Sequence, residues 1–553
     1  MNKNRADADS PKKYTNKRSV NKDFSSARQK KDGEGKKFSS FQKGNSRNSG
    51  DFSPRKRDFS VSGKAGEYGN ADRRCKTQKY SDGDFSAEYK EKRYNYNDEK
   101  RNRKYNSDRP FSASRGKSVK DKRSEVQVER KVREQKSIIN PELHFSDLLL
   151  SMAVQHGYLE EQDIISPADS LAAMDYPLEL ELKKMALQAY WKACGLPELP
   201  NEIIPSPRSR NYRTTSKRKV SWNNGKLVFS MGYTKHRKGG YVLQQLESPL
   251  EADLHGELYA AIFELLQKKH YEPLAKVLNY CIIRGSYHKA AVILNIFRVK
   301  GEIVHKLKLF TEELKNTVPG IQSVFMFVDE TRSDYYLEST RPVKSVAVKK
   351  LFGSDSLCIK YNEHKILYPP MVFSQVNESM IPVFVQAAMD LLDPKPSTRV
   401  LDLYCGYGLF SFAAAGAGAG SVWGMELEGP AVTAAISNAN YLYPNKNMKF
   451  FAEAVTPDSL EEVLPFDDRE EYVILDPPRS GTADGVIQSI VDRKPQKVLH
   501  IFCGTDQIPN EMRIWLSSGY KIASVKVFDM FPGSPNLETM ILLQRQNNRK
   551  DFV

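Results

Sequence analysis

The sequence predicts an α/β protein: a doubly wound C-terminal domain, a smaller α+β domain before it, and a disordered basic N-terminal tail. Three observations carry this reading. From residue 371 onward, apolar strand-like runs alternate with helical stretches, the pattern of a largely parallel sheet. Residues 206–370 interleave strand runs and helices as an α+β unit. Residues 1–136 are poor in aliphatic side chains and dense in Lys, Arg, Ser, Asn, Asp and Gly, so burial cannot offset their ordering entropy.

Charge is distributed as unevenly as hydrophobicity. The 553 residues carry a formal charge of +16. Residues 1–140 hold 39 Lys and Arg against 20 Asp and Glu, leaving 45 against 48 beyond them, so the basic excess lies in the tail. A degenerate Asp-Phe-Ser unit recurs there at Asp23, Asp51, Asp58 and Asp84, and Tyr80, Tyr89, Tyr94, Tyr96 and Tyr105 stand among basic residues. Spaced aromatics in a cationic coil suit stacking on unpaired bases and contact with phosphates, so RNA is the expected partner; a merely solubilising tail is the alternative.

Six cysteines, Cys75, Cys194, Cys281, Cys358, Cys405 and Cys503, show no CxxC or CxxH spacing, which argues against a zinc site, an iron-sulfur cluster and a disulfide framework. No metal is expected. The N-terminus lacks an apolar leader and no run approaches 18 apolar residues, so a monomeric, cytoplasmic protein without a membrane partner is expected.

The helical spacing of His144–Met152 and Leu178–Trp191 marks residues 137–205 as a helical linker region. In residues 206–370, strands are predicted at Val220–Trp222, Lys226–Ser230 and Ile321–Val328, and helices at Gly256–Lys269 and Lys300–Thr317. The basic strips Tyr212–Lys219 and Lys235–Lys238 either contact RNA phosphates or form a solvated strand edge.

Residues 371–553 carry the chemistry. Strands are predicted at Thr398–Tyr404, Ser421–Met425, Tyr472–Leu475, Val498–Phe502, Ile522–Phe528 and Met540–Gln544. In such sheets ligands lie beyond the carboxyl ends of the strands, and Tyr404, Gly406, Gly408, Glu426, Asp476 and Cys503 all fall at those ends. A glycine turn followed about twenty residues later by an acidic residue that can accept from two ribose hydroxyls points to a nucleotide-type cofactor. Cys405 reads as a packed turn residue, Cys503 as a candidate nucleophile, and Glu538 as either a base or a surface carboxylate.

The stretch 212–546 resembles the RNA uracil-5 methyltransferase family, which makes 5-methyluridine in tRNA and rRNA. Six segments carry the likeness in order: Phe373–Asn377, Asp402–Phe410, Val422–Glu426, Leu475–Gly481, Ile501–Cys503, and Asp529–Pro532 with Glu538-Thr539. The resemblance implies a Rossmann-like methyltransferase domain using S-adenosyl-L-methionine. Gln375, Tyr404, Gly406, Gly408, Glu426 and Asp476 would bind that cofactor, Cys503 would be the nucleophile, and Glu538 would accept the proton. The sequence departs from the family at Gly504-Thr505 after the cysteine and at Gly533-Ser534, where the family has a His-Thr pair. Two other readings stand beside it: an RNA methyltransferase acting on another base, and a non-catalytic RNA-binding protein on the same fold.

Overall fold

In the computed structural model the described residues are 143–546, except 161–168, 224, 232–233, 237–238, 242–244, 333–345, 428 and 467–468. The basic tail with its Asp-Phe-Ser units lies outside them. All of them belong to Ala113–Val553, one of the two units into which the chain divides.

Strand β1 (Ile203–Ile204) precedes β2 (Thr215–Asn223), β3 (Lys226–Ser230) and a short hairpin of β4 (Thr234–His236) and β5 (Gly239–Tyr241). With β6 (Leu278–Gly285), β7 (Ala290–Ile296), β8 (Ile321–Asp329) and β9 (Val346–Gly353), β2 and β3 build a six-stranded sheet in the order β3-β2-β6-β7-β8-β9. Only the β7–β8 pair in it is parallel, joined by the crossover helix Gly301–Thr317. The period of two along the strands separates two cores. Cys281, Ile283, Val292 and Leu294 pack with Leu258, Ile262, Leu307 and Phe310 of the helices on one face. Ile282, Ile293, Phe325 and Phe327 share a core with the second sheet on the other.

The hairpin β10 (Leu357–Tyr361) and β11 (His364–Tyr368) leads to that second sheet. It comprises β12 (Arg399–Leu403), β13 (Ser421–Glu426), β14 (Asn447–Ala452), β15 (Glu471–Leu475), β16 (Lys497–Phe502), β17 (Tyr520–Phe528) and β18 (Glu538–Arg545), together with β1, in the order β1-β17-β18-β16-β15-β12-β13-β14. Strands β12 to β16 run parallel, and β18 inserts antiparallel between β16 and β17. The strand order reverses at β12 and β15, the switch point at which a crevice opens. The fold is thus the Rossmann-like α/β architecture expected.

Three local expectations change. Asn447–Ala452, half-exposed at the sheet edge, is a strand that the apolar pattern does not reveal. The region read as a helical linker supplies the helices Phe145–Gln155 and Tyr176–Ala193, whose Leu149, Leu182 and Trp191 share a core with Trp515, Ile541 and Leu543, and its Ile203-Ile204 pairs with β17. The strip Tyr212–Lys219 is not simply a solvated edge: Thr215–Lys219 pair with β6, β3 pairs with β2 from Lys219 onward, and Arg218 bonds the carbonyls of Gln245 and Leu246. Its alternate residues turn inward, and Arg218 is fully buried against Glu251 at 2.7 Å. The second strip, residues 235–238, includes positions outside the described residues. Among the described residues no helix is long and apolar enough to cross a membrane.

Candidate active site

Strand β12 delivers the chain to the rim through Tyr404, whose φ of +65° is a left-handed conformation that non-glycine residues seldom adopt. The Cys405 N–H donates to the Met425 carbonyl at 3.0 Å, extending the pairing with β13 past the strand end. Gly408 (φ +94°) then starts the helix Leu409–Gly416; a Cβ there would meet the Phe412 ring at 2.8 Å. Gly406 (φ +54°) borders open space and donates its N–H to Glu426 Oε2 at 3.1 Å. Glu426 is therefore held at the end of β13 with its carboxylate against the glycine turn. Below it Asp402 is fully buried; burial pushes its carboxyl up to about 7, while the Ser411 hydroxyl, donating at 2.5 Å, opposes the shift.

Asp476 follows β15, and its N–H donates to the Leu403 carbonyl at 3.3 Å, which sets it beside Tyr404. Cys503 follows β16, and Glu538 opens β18. Cys503 Sγ lies 3.0 Å from Glu538 Oε1 and 3.9 Å from Asp476 Oδ1. Burial, then the charges of Glu538 and Asp476, push the thiol well above its ordinary value, with Arg479 opposing. Burial also lifts Glu538 to about 7, moderated by the hydrogen bond from Cys503 and by Arg479. Asp476 is raised by burial first and then by Glu538 and Asp402. In this arrangement the Cys503 thiol donates to Glu538 Oε1. The surface-carboxylate reading of Glu538 is overturned, since its side chain is completely buried.

Two groups of predicted residues thus converge. Tyr404, Gly406, Gly408 and Glu426 form one, and Asp476, Cys503 and Glu538 form the other, with donor atoms all within 4.8 Å of one another. Such a triplet is also close enough to share a cation, but the thiol–carboxylate hydrogen bond already accounts for its convergence. Gln375 stands apart from these contacts. It is buried on a segment held by Arg284, which donates to Pro370 O at 2.8 Å and Ser374 Oγ at 3.0 Å, and by Asn377, which donates to Met530 O at 3.1 Å.

Sequence reasoning missed a second layer. Glu511 Oε1 accepts from the Thr482 N–H at 2.7 Å and from its hydroxyl at 3.1 Å, clamping the loop that carries Asp476 and Arg479. Buried His500, which accepts from Trp515 Nε1 at 3.2 Å, lies 3.0 Å from Glu511 Oε2, close but poorly aligned for a hydrogen bond. A histidine inside the apolar run Val498–Phe502 was the available signal. Replacing Glu511 with Ala strands the Thr482 donors and is expected to cost about 1–3 kcal/mol, read as a lowered Tm in thermal unfolding.

Comparison with solved structures bears on the fold. The tRNA (uracil-54, C5)-methyltransferase of Pyrococcus abyssi, solved in complex with S-adenosyl-L-homocysteine, superposes with a TM-score of 0.51 at 19% identity, covering 69% of this chain and 86% of that one. The shared fold is that of the Rossmann-like methyltransferases. A family model described as tRNA (Uracil-5-)-methyltransferase matches residues 339–546. An uncharacterized RNA methyltransferase of Lactobacillus johnsonii is 25% identical over 386 residues, covering 68% of this chain and 82% of that protein. The 23S rRNA (uracil(1939)-C(5))-methyltransferase RlmD of Photobacterium angustum is 33% identical over 186 residues, covering 34% of this chain and 83% of that protein. The chain belongs to the RNA uracil-5 methyltransferase family.

Proposed function

We propose that the protein is an S-adenosyl-L-methionine-dependent enzyme that forms 5-methyluridine in tRNA or rRNA, with Cys503 as nucleophile and Glu538 as proton acceptor. The observation that supports it best is the 3.0 Å contact between Cys503 Sγ and Glu538 Oε1 at the rim of the switch-point crevice. Uracil C5 is too weak a nucleophile to accept a methyl group unaided. Addition of the Cys503 thiolate to C6 turns C5 into an enolate-type carbon nucleophile. The cofactor, when bound, supplies the methyl group. A base must then take the C5 proton so that the C5–C6 double bond re-forms and the thiolate leaves.

The residues present fit that cofactor. Gly406 faces open space, and Glu426 presents a carboxylate at a strand end, where it suits a ribose diol. Gly408 permits the turn into the helix, and Tyr404, Asp476 and Gln375 complete the proposed cofactor set. The Cys503 proton must leave to solvent before addition, so that Glu538 is still ionised when it takes the C5 proton. The target base must be unstacked to reach a buried pair, so a looped-out uridine is the proposed substrate. Residues 206–370 are proposed as the RNA-binding part and residues 371–553 as the methyltransferase domain. The basic tail would add salt-sensitive RNA affinity.

Nucleoside mass spectrometry of unmodified tRNA and rRNA transcripts, incubated with the protein and S-adenosyl-L-methionine, tests this reading. 5-Methyluridine is the expected product. A methyl group on another base, or none despite cofactor binding, would overturn it in favour of the alternative target or the non-catalytic protein.

A further inference from the structure

The turn that leads into Glu538 is held by a part of the chain far away in sequence. Lys183, on the helix Tyr176–Ala193, places Nζ 2.8 Å from Asp529 Oδ1 and 2.7 Å from Glu179 Oε1, and donates to the Phe531 carbonyl at 3.3 Å. Glu179 Oε1 accepts from the Gly533 N–H at 2.6 Å, and the Leu171 N–H donates to the Gly533 carbonyl at 2.9 Å. Arg210 completes the cluster: it reaches Glu179 Oε2 at 3.1 Å and donates to the carbonyls of Leu171, Ala172 and Met174. The side chains of Lys183, Glu179 and Asp529 have no solvent exposure.

Gly533 is shaped to this neighbour. Its φ is +76°, and a Cβ there would stand 2.5 Å from Leu250 Cδ2 and 3.2 Å from Ala172 Cα. A side chain at 533 would thus meet the Leu250 side chain first and then Ala172, whose Cα and Cβ stand at 3.2 and 3.4 Å.

Resting on the assignment of Glu538 as the base, we propose that residues 171–183 are a positioning element of the reaction: they grip the turn 529–533 by its main chain and so set Glu538 against Cys503. Directional bonds to three main-chain groups, Phe531 O, Gly533 N and Gly533 O, distinguish this from burial of an ion pair for stability alone. An apolar patch would fill the same space without fixing the turn's position.

The test uses the full-length protein and iodoacetamide, following alkylation of Cys503 against pH by peptide mass spectrometry, together with methyl transfer to unmodified tRNA and rRNA transcripts. Three variants are compared with wild type: Glu538→Gln, the charge-balanced pair Lys183→Met/Asp529→Asn, and Gly533→Ala, which keeps every charge. Glu538→Gln is expected to move the alkylation profile to lower pH, because the neighbouring carboxylate is gone. The pair variant and Gly533→Ala are expected to move it the same way, with kcat lowered on the order of 100-fold and KM for RNA unchanged, as a displaced base requires. If Glu538→Gln leaves the profile unmoved, the Cys503–Glu538 reading itself fails. If Glu538→Gln moves it while the folded variants follow wild type in both profile and kcat, the positioning role is overturned. Should the pair variant not fold, Gly533→Ala decides by the same criteria.

Discussion

Cys503→Ala is expected to abolish methyl transfer, with turnover falling by on the order of 10⁴-fold or more, as when other enzymes lose their nucleophile. Among the described residues no other thiol is placed to take over. Cys405, the remaining cysteine at the rim, is buried against Gly424, where a Cβ would already meet its sulfur at 2.8 Å. The sharper readout is trapping with 5-fluorouridine-substituted RNA and S-adenosyl-L-methionine. Fluorine at C5 cannot be taken by a base, so the wild-type chain should remain covalently attached to the RNA and the variant should not. An adduct that persists in Cys503→Ala would show that another residue adds to the base.

Glu538→Gln should separate the steps that Cys503→Ala removes together. The amide keeps the size of the carboxylate but cannot accept a proton, so addition and methylation proceed while elimination stalls. Turnover should fall about 10²- to 10⁴-fold, and a methylated protein–RNA adduct should accumulate on unmodified RNA. The wild-type rate should climb with pH through about 7, where Glu538 loses its proton, and this limb should vanish in the variant. Stability has the opposite sign. Between the ordinary value of 4.5 and about 7 the folded chain keeps a proton that the unfolded chain has released. Burial of Glu538 thus costs nothing below that window and costs most above it. By linkage the full cost is about 3 kcal/mol, so the glutamine variant should melt higher than wild type at pH 8 while turning over far more slowly. A variant that melts lower there, with wild-type turnover, would remove Glu538 from the mechanism.

Much of the second sheet was legible because its central strands are buried on both faces and read as apolar runs, as in Val473–Leu475 and, broken only by Asp402, Val400–Leu403. Their ends announced the rim, and with it Tyr404, Glu426, Asp476 and Cys503. What the sequence hid was polar matter inside. The string Leu178-Glu-Leu-Glu-Leu-Lys-Lys reads as a helix with a charged outer face, yet Glu179 and Lys183 point into the protein, because their partners, Asp529 and Gly533, arrive from about 350 residues away. Arg218 deceived in the same way: in a basic strip it suggested solvent or phosphate, and its Glu251 partner is 33 residues on. Local periodicity carries no information about such distant partners. Glu538 was recognisable as a base only through its neighbours, since a lone glutamate after turn residues has no burial signature of its own.

The antiparallel insertion of β18 has a consequence for how this reaction centre tolerates change. Phe502 sits opposite Thr539, and Phe528 opposite Glu538, so Cys503 and Glu538 ride on adjoining strands whose spacing is dictated by the ladder of main-chain hydrogen bonds. A slip of one residue would turn Glu538 to the far side of the sheet. The gap between sulfur and carboxylate is thus handed down by the backbone: the ladder sets the spacing of the strands, and the turn 529–533, with Gly533 at φ +76°, brings Glu538 into the ladder in register.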